Sequence, residues 1–435
     1  MVWHQPNRTR IRDATTLLGT ALAISLSACD SPPQLRSDRT EGAKVVDAAA
    51  LRGAPPGAVT WCTGTDTSGA SQALADEYNT GSVATGHRID LLELPGSRDD
   101  WHDQLVERQR GGSPECDILS ADITWAAELA AEGWIYDLTP YLAPRRYQYL
   151  PTVLEAIGYE GKDWAAPFVA DVGLLYYRTD QVATPPESWQ QAYAAAAIGG
   201  GVVYQGSPGE GLTVNFLEIA YASGGRVLTA DGKRAMIDSP ENLAALRFLT
   251  DGVQTGVAPQ AVRTLTEEPA RRAFEAGRAT FQRNWTSAWA SAQTAPAISE
   301  NFAAIALPPF EGGGAGGVLG GVNLLLSVHS DNPGAALRAI DWITSPQGQR
   351  LAAGRGLAPT LVALYDEVLV QEALPYHEAL RQGIEQASAP PVSPAYRRIS
   401  EVISTSVSNA LNGRTTPEVA LAEAEQQITQ AIEDP

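Results

Sequence analysis

Apolar positions follow two different periods along this chain. Short apolar runs at 59–62, 89–94 and 116–119 predict strands, while three- and four-residue spacing at 68–78 and a polar stretch at 99–110 predict helices between them. The order strand, helix, strand, helix, strand predicts a largely parallel sheet covered by helices, in which ligands sit beyond the carboxyl ends of the strands. Further along, helices are expected at 241–253 and 269–276, and short strands at 202–204 and 278–282. A glycine-rich run at 312–317 precedes an expected strand at 322–328 and a helix at 333–343. Ser345-Pro346-Gln347 starts another helix, with serine as cap and proline at the first helical position. Amphipathic helices at 396–411 and 417–432 close the pattern, and no fixed-period repeat occurs.

The N-terminus obeys another rule. Arg8, Arg10 and Arg12 precede an apolar stretch at 16–28, shorter than the roughly 20 residues of a permanent membrane-spanning helix. Such a segment reads as a processed export signal. Its ending, Leu26-Ser27-Ala28-Cys29, resembles the lipobox of bacterial lipoproteins. That resemblance implies that Cys29 becomes the lipidated first residue, an ordinary secretory signal being the alternative. Residues 29–57, rich in Pro, Ser, Arg and Ala and ending Pro55-Pro56-Gly57, read as a flexible stalk. No later run is long enough to span a bilayer.

Charge narrows the partners. The formal net charge is −19, and losing residues 1–28, with three arginines and one aspartate, makes it two units more negative. A scattered negative surface repels nucleic acid and anionic lipid headgroups, leaving the lipid as the only expected membrane attachment. About 400 residues beyond the signal suggest two or three domain-sized units. Cys62 and Cys116 lie in apolar strand-like runs; buried thiols are preferred here, with a bridge left open.

Several chemistries lack their residues. His4, His87, His102, His329 and His377 are far apart, and no HExxH pair or Cys/His cluster could hold a metal. A nucleophile elbow and a phosphate loop are missing. Gly312 to Gly317 matches G-x-G-x-x-G by letter, but a strand follows where a dinucleotide fingerprint needs a helix, so a turn is expected and no cofactor. What remains is a set of carboxylates beside aromatics: Asp122 before Trp125, Glu267 and Glu268 opening a helix, and Asn284-Trp285 ending a strand. Carboxylates and amides pair with vicinal hydroxyls, and an indole covers the apolar face of a pyranose. Each also has a plain structural reading, as helix cap, first-turn acid or core residue.

Four stretches carry a resemblance. They are 116–125 with Glu132-Gly133-Trp134; Trp164-Ala165-Ala166-Pro167 leading to Leu174-Leu175-Tyr176-Tyr177-Arg178; 263–268 with 273–277 and Asn284-Trp285; and Gly320-Gly321-Val322-Asn323-Leu324. In order and spacing the chain resembles the extracytoplasmic solute-binding proteins of ABC sugar importers, in the branch containing maltose-binding protein. Within that branch it is most similar to the actinobacterial trehalose-binding lipoproteins. The resemblance implies an α/β, periplasmic-binding-protein-like fold, with two lobes, each a mixed sheet flanked by helices, joined by a multi-crossing hinge. It implies an N-terminal lobe of 58–170 and 322–358 and a C-terminal lobe of 171–321 and 359–435, with crossings near Ala170, Gly321 and Pro359.

Ligand is then expected between the lobes, held without catalysis by a lipid-anchored monomer outside the cell membrane that delivers a disaccharide or small oligosaccharide to an ABC permease. The resemblance assigns sugar-binding carboxylates to Asp122, Asp171 and Glu268, stacking to Trp285, close backbone approach to Gly320 and Gly321, and an aromatic wall to Tyr396. Asp66, Glu210 and Asn323 are further candidates at strand ends or in loops. Relatives carry Arg-Pro before the last helical region where this chain has Pro390-Pro391, which leaves Arg397 or Arg398 to supply a forked donor. The rival is a lipid-anchored glycoside hydrolase using Glu268 and Asp122 as acid and nucleophile. A receptor for peptides or polyamines is a third reading.

Overall fold

Twelve strands form in the computed structural model, which describes residues 42–47 and 55–434. In chain order they are β1 (Ala58–Thr63), β2 (Arg88–Glu93), β3 (Ile118–Asp122), β4 (Gly158–Tyr159), β5 (Lys162–Asp163) and β6 (Ala166–Val172). There follow β7 (Leu174–Arg178), β8 (Val202–Val203), β9 (Phe281–Asn284), β10 (Phe302–Ala306), β11 (Leu319–Leu326) and β12 (Ala358–Pro359). The first lobe is built on a six-stranded sheet of order β12-β6-β11-β3-β1-β2, the second on a four-stranded sheet of order β10-β7-β9-β8.

β1 pairs parallel to β2 and to β3, as the alternation at 58–122 predicts. The rest of the large sheet departs from a largely parallel arrangement, because β11 runs antiparallel to β3 and β6, and β12 antiparallel to β6. These strands arrive from the other lobe or from later in the chain, so no βαβ crossover constrains their direction. In the small sheet only β8 and β9 are parallel.

Local chemistry accounts for the elements. Trp61, Cys62, Ile118 and Leu119 are buried, which is why β1 and β3 read as apolar runs rather than alternations. The helix Arg98–Arg110 is largely polar and fully buries only a narrow stripe of His102, Leu105 and Gln109. It starts on Ser97, whose hydroxyl accepts from the Asp100 amide, and it carries Asp99 and Asp100 first and Arg108 and Arg110 last, matching the helix dipole. Ser345 caps the helix Pro346–Ala353 as expected. The helix Glu210–Ala222, unlike these, is buried from Leu212 to Ala222 between the helices Pro240–Gln254 and Tyr396–Leu411.

The chain passes between lobes at Gly173, which joins β6 to β7, and again between β10 and β11. β11 starts earlier than the expected 322, because Gly320 and Gly321 have no apolar side chains to mark a strand. Gly321 has φ +126°, and a Cβ there would collide with the Val169 carbonyl across the sheet, so only glycine fits. Likewise β9 lies later than the expected 278–282. The run 312–317 is a turn whose Gly313 and Gly316 pack on the backbone of Ala222.

Two expectations are corrected. Cys62 and Cys116 are not free thiols but a disulfide with Cα atoms 5.6 Å apart, the neighbouring strands β1 and β3 having brought together residues 54 apart in sequence. Part of the segment read as a stalk is docked: Val46 is buried, its amide donates to the Asp137 carbonyl at 3.0 Å, and Asp137 returns a bond to Lys44. The export signal and Cys29 lie outside the described residues. No helix among the described residues is long and apolar enough to cross a membrane.

Candidate functional site

A cavity of about 320 Å³ opens where the two sheets meet, near the lower end of the roughly 300–1,000 Å³ of small-molecule sites. The first lobe contributes Arg98 and Asp122, β6 contributes Asp171, and β11 contributes Gly320 and Gly321. From the second lobe come Gln205, Glu210, Glu267, Trp285 and Ser287, and Pro390 closes the rim. A larger groove of about 590 Å³, which shares no lining residue with this cavity, lacks any aromatic residue, and its Arg146 is paired with Asp163.

Asp122 ends β3, and its Oδ1 accepts from the Thr124 amide at 2.9 Å and the Thr124 hydroxyl at 2.7 Å, a turn that leads to the helix Ala126–Ala131. The same carboxylate meets Arg98 Nη2 at 2.6 Å, while Nη1 of that arginine reaches Glu210 Oε1 at 3.3 Å from the opposite lobe. Glu210 also accepts from the Tyr396 hydroxyl at 2.6 Å and from Ser400. Tyr396 is thus buried behind Glu210 and reaches the cavity through it.

Asp171 accepts from the Thr286 hydroxyl at 2.8 Å and the Val172 amide at 2.9 Å. Burial outweighs these bonds and pushes its carboxyl up to about 6. Trp285 is half-buried, held by its own carbonyl accepting from Tyr176 at 2.8 Å. A Cβ on Gly320 would stand 2.9 Å from the Trp285 ring, so the glycine makes room for the indole.

Of the two adjacent glutamates opening the helix Glu267–Glu275, the expected one faces away. Both keep solvent contact, but Glu268 bonds Arg271 at 2.6 Å, which lowers its carboxyl, whereas Glu267 lines the cavity, where partial loss of solvent raises its carboxyl. Asp66 is not brought to the cavity. It accepts from the Ser68 amide at 2.9 Å and the Ser71 amide at 2.7 Å at the start of the helix Ala70–Gly81, and although burial works against it these bonds hold its carboxyl below the usual value. Asn323 is buried within β11 and does not line the cavity.

The open place at Pro390 is filled from elsewhere. Arg397 turns outward to Asp103 at 2.6 Å and Arg398 bonds the Asp434 carbonyl, so neither supplies the forked donor. Arg98 does. Sequence reasoning missed it, with Gln205, because a first-turn arginine on a polar helix carries no mark of which way it points; Glu267 is named beside Glu268, but the resemblance assigns the sugar-binding carboxylate to Glu268. Together these groups present paired acceptors, a guanidinium fork and one indole face around a space sized for a small polar ligand.

Three comparisons with known proteins agree in direction. The family described as bacterial extracellular solute-binding protein matches residues 64–350. A Deinococcus radiodurans protein named "probable ABC transporter-binding protein" is 30% identical over 381 residues, covering 81% of this chain and 90% of that one. A maltotriose-binding protein of Pyrococcus abyssi is 24% identical over 339 residues, covering 74% and 70%. Among solved structures, maltose-bound MalE3 of T. maritima superposes with a TM-score of 0.76 at 30% identity, covering 86% of this chain and 99% of that one.

Proposed function

Because the chain belongs to the bacterial extracellular solute-binding proteins, we propose that it captures a disaccharide or small oligosaccharide, trehalose-like or maltose-like, and hands it to an ABC permease. The observation that carries this reading is Trp285, set beside Asp122, Asp171, Glu210 and Glu267 in a cavity lined from both lobes. The relatives named for maltose and maltotriose support a sugar of this size. In this reading Gly320 and Gly321 give the ligand close access to backbone, Arg98 supplies the forked donor, and Glu267 takes the part first given to Glu268.

The protein works as a monomeric receptor without catalysis, lipidated at Cys29 after removal of 1–28. Its lobes divide near 58–170 with 322–358 and 171–321 with 359–435, the six-stranded sheet of the first lobe taking in β6 to Val172, β11 from Leu319 and β12 to Pro359. Closure on the sugar selects a state whose outer surface the permease reads.

A thermal-shift panel tests this. A ligand that binds only the folded state raises the melting temperature, so trehalose, maltose or maltotriose should do so. A shift with spermidine alone, or monosaccharide released from any of the sugars, would overturn the reading.

A further inference from the structure

Arg283 on β9 and Glu218 on the helix Glu210–Ala222 are each 1% exposed and form a two-pronged ion pair, Nε to Oε2 at 2.7 Å and Nη2 to Oε1. Apolar side chains of similar volume often serve a fold as well as a buried pair does, so packing alone does not explain this one. Arg283 Nη1 is buried without a hydrogen-bond partner, and the guanidinium lies 4.2 Å from the ring centre of Trp285, two residues on and just past the end of β9. Neither Arg283 nor Glu218 lines the cavity, but the indole they support does.

The pair also touches the passage between lobes. A Cβ on Gly173, between β6 and β7, would collide with Glu218 Oε1 and stand 2.6 Å from Arg283 Nε and Nη2. One buried guanidinium therefore backs the stacking face, lies under the crossing strand, and is held in plane by a single carboxylate.

We propose that Glu218 and Arg283 are positioning residues for the ligand: Glu218 orients the guanidinium, the guanidinium fixes the Trp285 indole, and Gly173 seats the crossing strand directly on the pair. The orientation of the stacking surface is thereby tied to the segment that must flex when the lobes move. This inference rests on the sugar-binding reading above.

The test is a double-mutant cycle on the exported chain without its signal. Removing Arg283 alone would strand a buried carboxylate and risk unfolding, so the pair is replaced together, Glu218→Leu with Arg283→Met. In wild-type background the replacement should weaken binding of the sugar found by thermal shift about tenfold in calorimetry, and in a Trp285→Ala background by less than about twofold. Without ligand, the near-ultraviolet circular dichroism assignable to Trp285, as the difference from Trp285→Phe, should collapse in the paired variant. Equal losses in the two backgrounds, or an unchanged Trp285 band, would overturn the proposal. If the wild-type chain binds no sugar, the sugar reading fails while the Trp285 band still decides the positioning role.

Discussion

Asp171 shows how one residue's setting becomes measurable. Burial pushes its carboxyl up to about 6, whereas in the unfolded chain it titrates near about 4. Between those values the folded state holds more protons than the unfolded one, so its contribution to stability falls as the pH rises through this window and stays unfavourable above it. Asp171→Asn keeps an acceptor for Thr286 and removes the titration. In urea unfolding the variant should therefore gain stability relative to wild type at pH 7.5 compared with pH 4, and an equal difference at both would contradict the assignment. At this scale the sequence was partly legible. Asp122, Asp171, Trp285, Gly320 and Gly321 could be picked out by resemblance, and all five line the cavity. Glu267 and Glu268 could not be separated, because adjacent residues on a helix diverge by roughly 100° and only the packing says which side faces the ligand.

Elements were legible where a face is apolar and hidden where it is not. The helices Pro240–Gln254 and Tyr396–Leu411 match their predicted extents closely, since each buries one stripe. The helix Glu210–Ala222 left no periodic signal because it is buried on nearly every side. Strand direction in the large sheet was also unreadable, as β11 finds its partners only after the chain returns from the second lobe. The disulfide belongs to this scale, tying β1 to the segment entering β3. Cys62→Ala with Cys116→Ala should lower unfolding free energy by about 2–4 kcal/mol and leave sugar affinity unchanged, since neither cysteine lines the cavity. Unchanged stability in chemical denaturation would show that the bridge does no structural work.

At the scale of the whole molecule, two ion pairs bridge the cleft. Arg98 and Asp103, on a helix tied to the first lobe by Gln109 bonding Ser327, meet Glu210 and Arg397 of the second. The Asp103–Arg397 pair is exposed on both sides and is worth at most about 1 kcal/mol. Arg98 matters more, because without it Asp122 and Glu210 lose the cation they share. Arg98→Ala should enlarge the ligand-free radius of gyration in small-angle scattering and weaken sugar binding; an unchanged radius with unchanged affinity would remove Arg98 from the site. The most direct test of the central claim is isothermal titration calorimetry of the exported domain and its Trp285→Ala variant with trehalose, maltose and maltotriose. The account predicts saturable one-to-one binding of at least one sugar by the wild type, weakened at least about tenfold in the variant. Absence of binding for all three sugars, or identical affinity in the two proteins, would contradict it.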